Sequence, residues 1–180
     1  MTKAEEQQLI ERLSDSQLRS DAFSLLIQTY QKPLYFYIRR MVIDHDDAND
    51  LVQDVFLKVW EKIDQFRGES LLSTWMYTIA TRHCIDFLRK KSRWVSWESA
   101  TPYAKHALAN DPLYTGTEIR TKLDQAILLL PNKQRLVFNL HYFEEKKFNE
   151  IAQITGTSEG ALKASYHHAV KKIEKAMLIP

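Results

Sequence analysis

Residues 48–63 read ANDLVQDVFLKVWEKI, and the periodicity of this stretch decides the fold. Its apolar side chains recur every three or four positions over about four turns, which predicts an amphipathic helix with one buried face. The apolar positions are Ala48, Leu51, Val52, Val55, Phe56, Val59, Trp60 and Ile63. The preceding Asp44-His45-Asp46 cluster suits a helix start, because its carboxylates accept hydrogen bonds from free amides and face the positive end of the helix dipole.

The sequence on either side of this helix predicts a wholly helical chain. A helix over about residues 17–31 is expected to end at Pro33, a second to follow the proline as far as Met41, and another to span about residues 71–91. Further along, Pro131 opens a helix, and Gly156 separates a short helix from a last one. Thr157 or Ser158 is expected to cap that last helix. This order is the layout of a helix-turn-helix, which αα-hairpins without a DNA-binding role share.

Residues 93–117 interrupt the helical periodicity and predict a linker. Two prolines and one glycine fall there. The linker also holds four aromatic side chains, too many for a free tether, so parts of it are expected to lie against a domain or a partner. They are Trp94, Trp97, Tyr103 and Tyr114. The expected fold is therefore all-α, with small helical domains at residues 1–92 and 118–180 joined by residues 93–117.

The composition excludes several classes of protein. The chain has 180 residues, of which 44% are hydrophobic and 27% charged, and no apolar run approaches the ~18 residues of a membrane span. The single cysteine, Cys84, cannot form an internal disulfide, and the histidines do not have metal-ligand spacing. The four glycines form no phosphate-binding loop. We expect a cytoplasmic protein that is not an enzyme and has no metal, cofactor or small-molecule substrate.

Acidic and basic side chains are segregated along the chain. Five aspartates crowd residues 44–54, whereas Arg82, Arg89, Lys90, Lys91 and Arg93 crowd a later stretch. Residues 118–180 contain ten basic and seven acidic residues and therefore carry a net charge of +3. This separation favours two kinds of partner, one met by carboxylates and the other a polyanion.

The central helix has an unusual outer face. Opposite its apolar stripe lie Asp50, Gln53, Asp54 and Glu61, with Leu57 among them. One interpretation is a stray surface leucine among solvated carboxylates. The other is a docking face for a basic protein, in which the charges steer encounter and Leu57 supplies apolar contact.

Basic and aromatic side chains alternate around the fourth helix. Arg67 precedes it, Trp75 and Tyr77 lie near its start, and Arg82, Arg89 and Lys90 follow. Cations bind phosphates and flat rings stack on unpaired bases, so this pattern suits single-stranded nucleic acid. The alternative is that Trp75 covers the core and the cations complement the helix dipole.

The last helix has a narrow basic outer face. It presents Gly160, Lys163, Ala164, His167 and Lys171 away from its apolar stripe. The small residues allow close approach to a major groove, and the polar ones reach base edges or phosphates. An ordinary solvated helix face remains the alternative.

Two sets of motifs give the chain a resemblance to a known family. The first set resembles region 2 of the extracytoplasmic-function (ECF) sigma factors of bacteria, which belong to the sigma-70 family. It comprises DANDLVQDVF (residues 47–56), FRG (66–68), STWMY (73–77) and IDFLRK (85–90). The second set, LP (130–131), FNEIA (148–152) and GALK (160–163), is similar to region 4 of the same proteins. The resemblance covers about residues 20–92 and 118–177, in the family's order.

The resemblance implies a role for each set of candidate residues. The region 2 helix docks on the β′ coiled coil of core RNA polymerase, which implies contacts from Asp50, Gln53 and Asp54 and agrees with the face around Leu57. The next loop and helix, residues 64–75, capture a flipped base of the minus-ten promoter element. The residues implied in minus-ten binding are Arg67, Gly68, Ser73, Thr74, Trp75, Tyr77, Arg82, Arg89 and Lys90. Region 4 reads the minus-thirty-five element in the major groove, through Ser158, Gly160, Lys163, Ala164, His167 and Lys171.

The family also implies partners and a mechanism. The chain would be a non-catalytic subunit that contacts the β′ and β subunits of polymerase and promoter DNA, and that an anti-sigma factor, possibly membrane-bound, holds inactive. It departs from the family at Ser165, His168 and Val170, where relatives often carry arginines, and at His83, where asparagine is usual. The alternative is an autonomous helix-turn-helix regulator with an N-terminal interaction domain, which would dimerise on a palindromic site.

Overall fold

Helices form all the regular secondary structure of residues 3–92 and 118–178, the ranges that the computed structural model describes. The N-terminal half contains α1 (Lys3–Ser14), α2 (Arg19–Val42), α3 (His45–Lys62) and α4 (Leu72–Ser92), with a short 3-10 turn at Ile63–Gln65. The C-terminal half contains α5 (Glu118–Leu128), α6 (Asn132–Phe138), α7 (Phe148–Thr155) and α8 (Glu159–Met177). Residues 139–143 continue α6 as a π-helical turn. The predicted all-α fold is confirmed, whereas the linker aromatics lie outside the described residues.

Helix α2 corrects the prediction of a break at Pro33. It runs without interruption from Arg19 to Val42 and contains the proline. A proline inside a helix removes one hydrogen bond and costs about 3 kcal/mol. Both halves of α2 bury apolar side chains in the same core, among them Leu26 and Leu34, each 0% exposed. Packing on both sides of the proline therefore outweighs its local cost.

Helix α1 was missed by the sequence analysis. It packs on α2 through Leu9 and Leu13, which are both buried. Their i,i+4 spacing was the available signal, but only Ala4 and Ile10 accompany them as apolar residues in a strongly polar stretch. The carboxylate of Glu6 also accepts a hydrogen bond from the backbone amide of Leu72, which ties α1 to the start of α4.

Helix α3 begins as predicted and buries most of the expected stripe. Asp44 is its N-cap, and the Asp44 side chain accepts hydrogen bonds from the amides of Asp46 (3.0 Å) and Asp47 (3.1 Å). Trp60 is the exception to the predicted stripe, because it is 42% exposed. Its ring lies at the edge of the core, edge-on to Phe23 with 4.8 Å between ring centroids.

The C-terminal half has the predicted helix-turn-helix. Helix α7 ends at Gly156, whose φ of 68° lies in the left-handed region that glycine adopts freely. Helix α8 then starts after Ser158, whose backbone occupies the N-cap position although its side chain makes no capping hydrogen bond. Apolar side chains of α5, α6, α8 and the turn between α5 and α6 form a small core of their own: Ala126, Ile127, Leu130, Phe138, Ala169 and Ile173.

The two halves are also packed against each other. A second, larger core contains buried residues of α1–α4 together with six from the C-terminal half: Leu136, Val137, Leu140, Ile151, Ile154 and Leu162. The Arg135 guanidinium crosses this boundary and donates to the carbonyls of Met41 (3.1 Å), Leu128 (3.1 Å) and Leu130 (3.3 Å). The Met41 and Leu128 carbonyls lie at the C-terminal ends of α2 and α5, where a cation is favourable, and the Leu130 carbonyl lies in the turn after α5. The domain boundaries stay a prediction, but the halves share one core.

Burial changes the chemistry of two further groups. It lowers the pKa of Arg135 to about 10, still well above neutral pH, so the guanidinium keeps its charge. It also raises the pKa of the Cys84 thiol, because that side chain is fully buried.

Among the described helices none has the length and hydrophobicity to span a bilayer.

Candidate protein and nucleic-acid interfaces

The outer face of α3 is open to solvent. Asp50, Gln53 and Asp54 are exposed, and Leu57 is 63% exposed. Neither Asp50 nor Asp54 forms an ion pair with another described residue. The structure therefore brings the four predicted docking residues together on one free surface of charge and apolar contact.

Two neighbours add to this surface. Glu61 pairs with Lys58 at 2.7 Å, and this hydrogen bond and charge lower the pKa of the Glu61 carboxyl. Trp60, which the sequence analysis placed in the core, lies three residues after Leu57 with much of its ring exposed. The sequence signal for this exposed position was the i,i+3 spacing, which puts Trp60 beside Leu57 on the helix surface.

The loop between α3 and α4 borders an open cavity of about 660 Å³. The lining residues are Asp64, Gln65, Phe66, Arg67, Glu69, Ser70 and Trp75. The rings of Phe66 and Trp75 lie 5.3 Å apart at 49°, and Trp75 is half-buried, so one aromatic wall has a free part. Arg19 bonds the carboxylate of Asp64 and fixes one side of the loop. Gly68, with φ of 70°, makes the turn.

The first turns of α4 contact the C-terminal half. Thr74 and Tyr77 are only 2% and 4% exposed, respectively. The Tyr77 hydroxyl donates to Glu144, and the Lys146 ammonium donates to the Ser73 hydroxyl at 3.2 Å. Burial and the nearby Glu144 carboxylate raise the pKa of Tyr77, so its hydroxyl stays protonated. Thr74 and Tyr77 are therefore buried in this arrangement, and the role in nucleic-acid binding that the resemblance implied for them stays a prediction.

The basic end of α4 remains accessible. Arg82, Arg89 and Lys90 are exposed, and Arg89 also pairs with Asp86 at 3.0 Å. Lys91 instead bonds Asp47 at 2.6 Å. Lys91 is thus already paired with an aspartate of residues 44–54, whereas Arg82, Arg89 and Lys90 are exposed to solvent.

The outer face of α8 is exposed as predicted. The exposed residues are Ser158, Gly160, Lys163, Ala164, His167 and Lys171. A Cβ added at Gly160 would meet nothing within 4 Å, so the helix surface there is open to a close approach. Lys163 lies 3.6 Å from Glu159, an exposed pair of the kind that contributes little stability. Of the three positions that depart from the family, His168 is exposed while Ser165 and Val170 are half-buried.

Two sequence families match the chain. The family described as Sigma-70 region 2 matches residues 26–93, and the family described as Sigma-70, region 4 matches residues 120–173. The first match covers the α3 face and the α4 cavity. The second covers the helix-turn-helix.

Individual relatives agree with these families. The chain is 30% identical over 187 residues to the RNA polymerase sigma-H factor of Pseudomonas aeruginosa, covering 98% of this chain and 96% of that protein. It is 29% identical over 167 residues to the ECF RNA polymerase sigma factor SigW of Bacillus subtilis, covering 87% and 89%. The solved sigma factor RpoE of Bartonella quintana, crystallised with the anti-sigma factor NepR, has a TM-score of 0.72 at 23% identity, over 87% of this chain and 97% of that chain.

The structural likeness establishes the fold, and the sequence matches establish the family across both halves. They do not favour the alternative of an autonomous regulator. The chain belongs to the ECF group of the sigma-70 family, the sigma factors that direct transcription initiation by RNA polymerase.

Proposed function

We propose that this sigma factor docks on the β′ coiled coil of core polymerase through the outer face of α3. The observation that carries this proposal is the 63% exposure of Leu57 between the free carboxylates of Asp50 and Asp54. An apolar side chain ringed by charge supplies desolvated contact at the centre and steering at the rim. Gln53 adds a hydrogen-bonding group on the same face, and the β subunit is a further contact of the complex.

The cavity beside Trp75 is the proposed site for a flipped base of the minus-ten element. Its aromatic wall offers a stacking surface, and Arg67 also lines it. Unstacking a base costs a few kcal/mol, and stacking on an aromatic ring returns about 1–3 kcal/mol. Arg82, Arg89 and Lys90 are positioned along α4 to bind the phosphates of the same strand.

The exposed face of α8 is the proposed reader of the minus-thirty-five element. Gly160 and Ala164 allow the helix to approach the major groove, while Lys163 and His167 reach base edges and Lys171 a phosphate. Each half holds a short element weakly. Joined in one chain, they gain effective concentration only when the two elements are correctly spaced, so the spacing becomes part of the specificity.

An anti-sigma factor is the proposed inhibitor. The supporting observation is that the solved RpoE relative was crystallised with one. The proposed site of action is the cytoplasm, where core polymerase works.

Reconstitution with core polymerase tests the function directly. The purified chain is mixed with core enzyme and fragmented genomic DNA, and the 5′ ends of the transcripts are sequenced. We expect new start sites preceded by two shared elements at a fixed spacing. Core enzyme alone is the control. Identical start sites with and without the chain would refute the function.

A further inference from the structure

The loop that borders the cavity beside Trp75 is held at both ends by residues from outside α3 and α4. This pocket loop comprises residues 64–71. Its middle is open to solvent, because the side chains of Arg67 and Glu69 are 82% and 79% exposed and lie 3.9 Å apart. So exposed an ion pair contributes little stability. The shape of the cavity therefore depends on how the two ends of the pocket loop are fixed.

Arg19 fixes the first end. Its guanidinium bonds both carboxylate oxygens of Asp64, through Nη1 at 3.1 Å and through Nη2, while its Nε donates to the Leu13 carbonyl at 2.9 Å. Leu13 belongs to the last turn of α1, where carbonyls lack partners within the helix and attract a cation. A planar guanidinium that bonds both oxygens holds a carboxylate in one orientation. Arg19 therefore ties the start of the pocket loop to the end of α1.

Glu6 fixes the second end. The Trp75 amide donates to the Leu71 carbonyl at 3.1 Å, which puts Leu71 in the N-cap position of α4. A leucine side chain cannot accept hydrogen bonds from the free amides of the first turn. The carboxylate of Glu6 accepts from the Leu72 amide instead, and a negative charge is favourable at that end of a helix. Glu6 thus caps α4 from 66 residues earlier in the chain.

The aromatic wall of the cavity lies close to both held ends. Trp75 follows Leu72 by three residues, within the first turn of α4. Phe66 follows Asp64 by two residues, and its amide donates to the Ile63 carbonyl at 3.1 Å. The separation of the two rings is therefore controlled by where the ends of the pocket loop are held.

We propose that Arg19 and Glu6 are positioning residues for capture of the flipped base. They act through Asp64 and Leu72, and together they form a clamp that sets the aromatic wall before DNA arrives. Such preorganisation strengthens binding because less order has to be imposed on the loop when the base enters. Both residues precede residues 26–93, the range that the Sigma-70 region 2 family matches. This inference rests on the proposed capture of a base beside Trp75.

The clamp predicts a change in one measurable ratio, the affinity for intact fork DNA divided by that for the same DNA with an abasic site at the captured position. In the parent holoenzyme this ratio should be about 30, because the abasic site removes the stacking. If a broken clamp leaves the loop in its capturing geometry about a tenth of the time, affinity for the intact fork falls about tenfold and the ratio falls to about 3. Loss of phosphate contacts or of folded protein would lower both affinities and leave the ratio unchanged.

The test variants are Arg19→Met and Glu6→Met, each of which removes one part of the clamp from the full-length chain. Arg12→Met and Glu11→Met are the matched controls, because both residues are exposed on α1. Arg12 bonds no other described residue, and Glu11 accepts a hydrogen bond within its own helix. Glu6→Gln keeps an oxygen that can accept from the amide at the start of α4, so it should retain the parent ratio. Circular dichroism and thermal melting check the folding of each variant.

The fork DNAs carry a promoter found by transcript sequencing, with an abasic site placed in turn at each minus-ten position. The position with the largest loss in the parent holoenzyme marks the captured base. We expect the ratio there to fall about tenfold in Arg19→Met and in Glu6→Met, and to stay near 30 in both controls. An unchanged ratio in both folded clamp variants would overturn the positioning role and leave base capture standing. A parent that is insensitive to abasic sites at every position would refute base capture itself, and the positioning role with it.

Hydrogen exchange of the free full-length chain is a second measurement, and it needs no promoter. The amides of residues 64–72 should exchange faster in both clamp variants than in the parent, because the ends of the pocket loop are released. Amides in the middle of α3 should exchange at the parent rate. Equal exchange of residues 64–72 in the parent and in both variants would refute the clamp, whatever the affinity for DNA.

Discussion

The outer face of α3 and the first turns of α4 lie in the same half of the molecule, yet they differ in their exposure to solvent. Leu57 on α3 is 63% exposed, whereas Tyr77 on α4 is 4% exposed beneath Glu144. Both surfaces could be nominated from sequence motifs. The difference teaches that a chain can offer one interface while another part of it covers the next, so exposure has to be established for each interface separately.

The largest expected effect comes from breaking the exposed side of this comparison. Leu57→Asp combined with Asp54→Arg removes the apolar contact and reverses a steering charge. Two residues at the centre of an interface each contribute about 2 kcal/mol or more, so binding to core polymerase should fall about a thousandfold. Co-purification with β′ and a binding titration measure the loss.

A matched double variant on α2 controls for this change. Leu25 is 44% exposed and Asp21 is exposed, so Leu25→Asp with Asp21→Arg makes the same substitutions away from the docking face. It should bind polymerase normally. Retained binding by the α3 variant, with its helical content intact, would count against this docking face.

Replacing Arg135 is expected to weaken the packing between the two halves. Arg135→Met leaves the carbonyls of Met41, Leu128 and Leu130 without their shared donor at the joint of the two halves. Unsatisfied buried acceptors are costly, and the free energy of unfolding should fall by about 3 kcal/mol. Urea denaturation measures it. The exposed neighbour change Lys133→Met should stay within about 0.5 kcal/mol of the parent, and an equally small effect at Arg135 would contradict its role.

A third variant tests the open cavity beside Trp75 separately from the buried Thr74 and Tyr77 in the first turns of α4. Trp75→Ala removes the stacking wall and should weaken holoenzyme binding to fork promoter DNA by about 2 kcal/mol, roughly 30-fold. Trp75→Phe keeps an aromatic face and should recover most of the affinity. Equal affinities of Trp75→Ala and the parent would show that the base binds elsewhere.

The smallest expected effect concerns the placement of α3 itself. Asp44→Ala deletes the side chain that caps α3 and should lower stability by about 1 kcal/mol in thermal unfolding. Asp46→Ala, two residues later in the first turn of α3, keeps the cap and should cost less. A reversed order of the two would mean that the cap is not the source of the stability.

The features that local periodicity controls were predictable. The stripe of α3, the cap at Asp44 and the turn at Gly156 each depend on a few neighbouring residues, and the structure has all three. Pro33 shows the limit. A proline does destabilise a helix locally, as predicted. Packing on both sides of Pro33 nevertheless keeps α2 intact, and the local sequence does not reveal that packing.

The candidate sites show the same limit. The exposed faces of α3 and α8 follow from helix geometry, and both are present. The cover on α4 depends on contacts between Tyr77 and Glu144, which are 67 residues apart. No pattern within either segment predicts that contact, so the sequence did not identify Glu144 as a contact residue of α4. Trp60 was misplaced because a tryptophan at the edge of a stripe can cover the core without being enclosed by it.

The burial of Cys84 has a consequence for how this sigma factor receives information. It is the only cysteine in the chain, it is fully buried, and burial holds its thiol in the protonated form. Oxidants attack accessible thiolates, so peroxide and disulfide exchange find no reactive thiol in this chain. A redox signal carried by cysteine oxidation therefore has to be received by another protein.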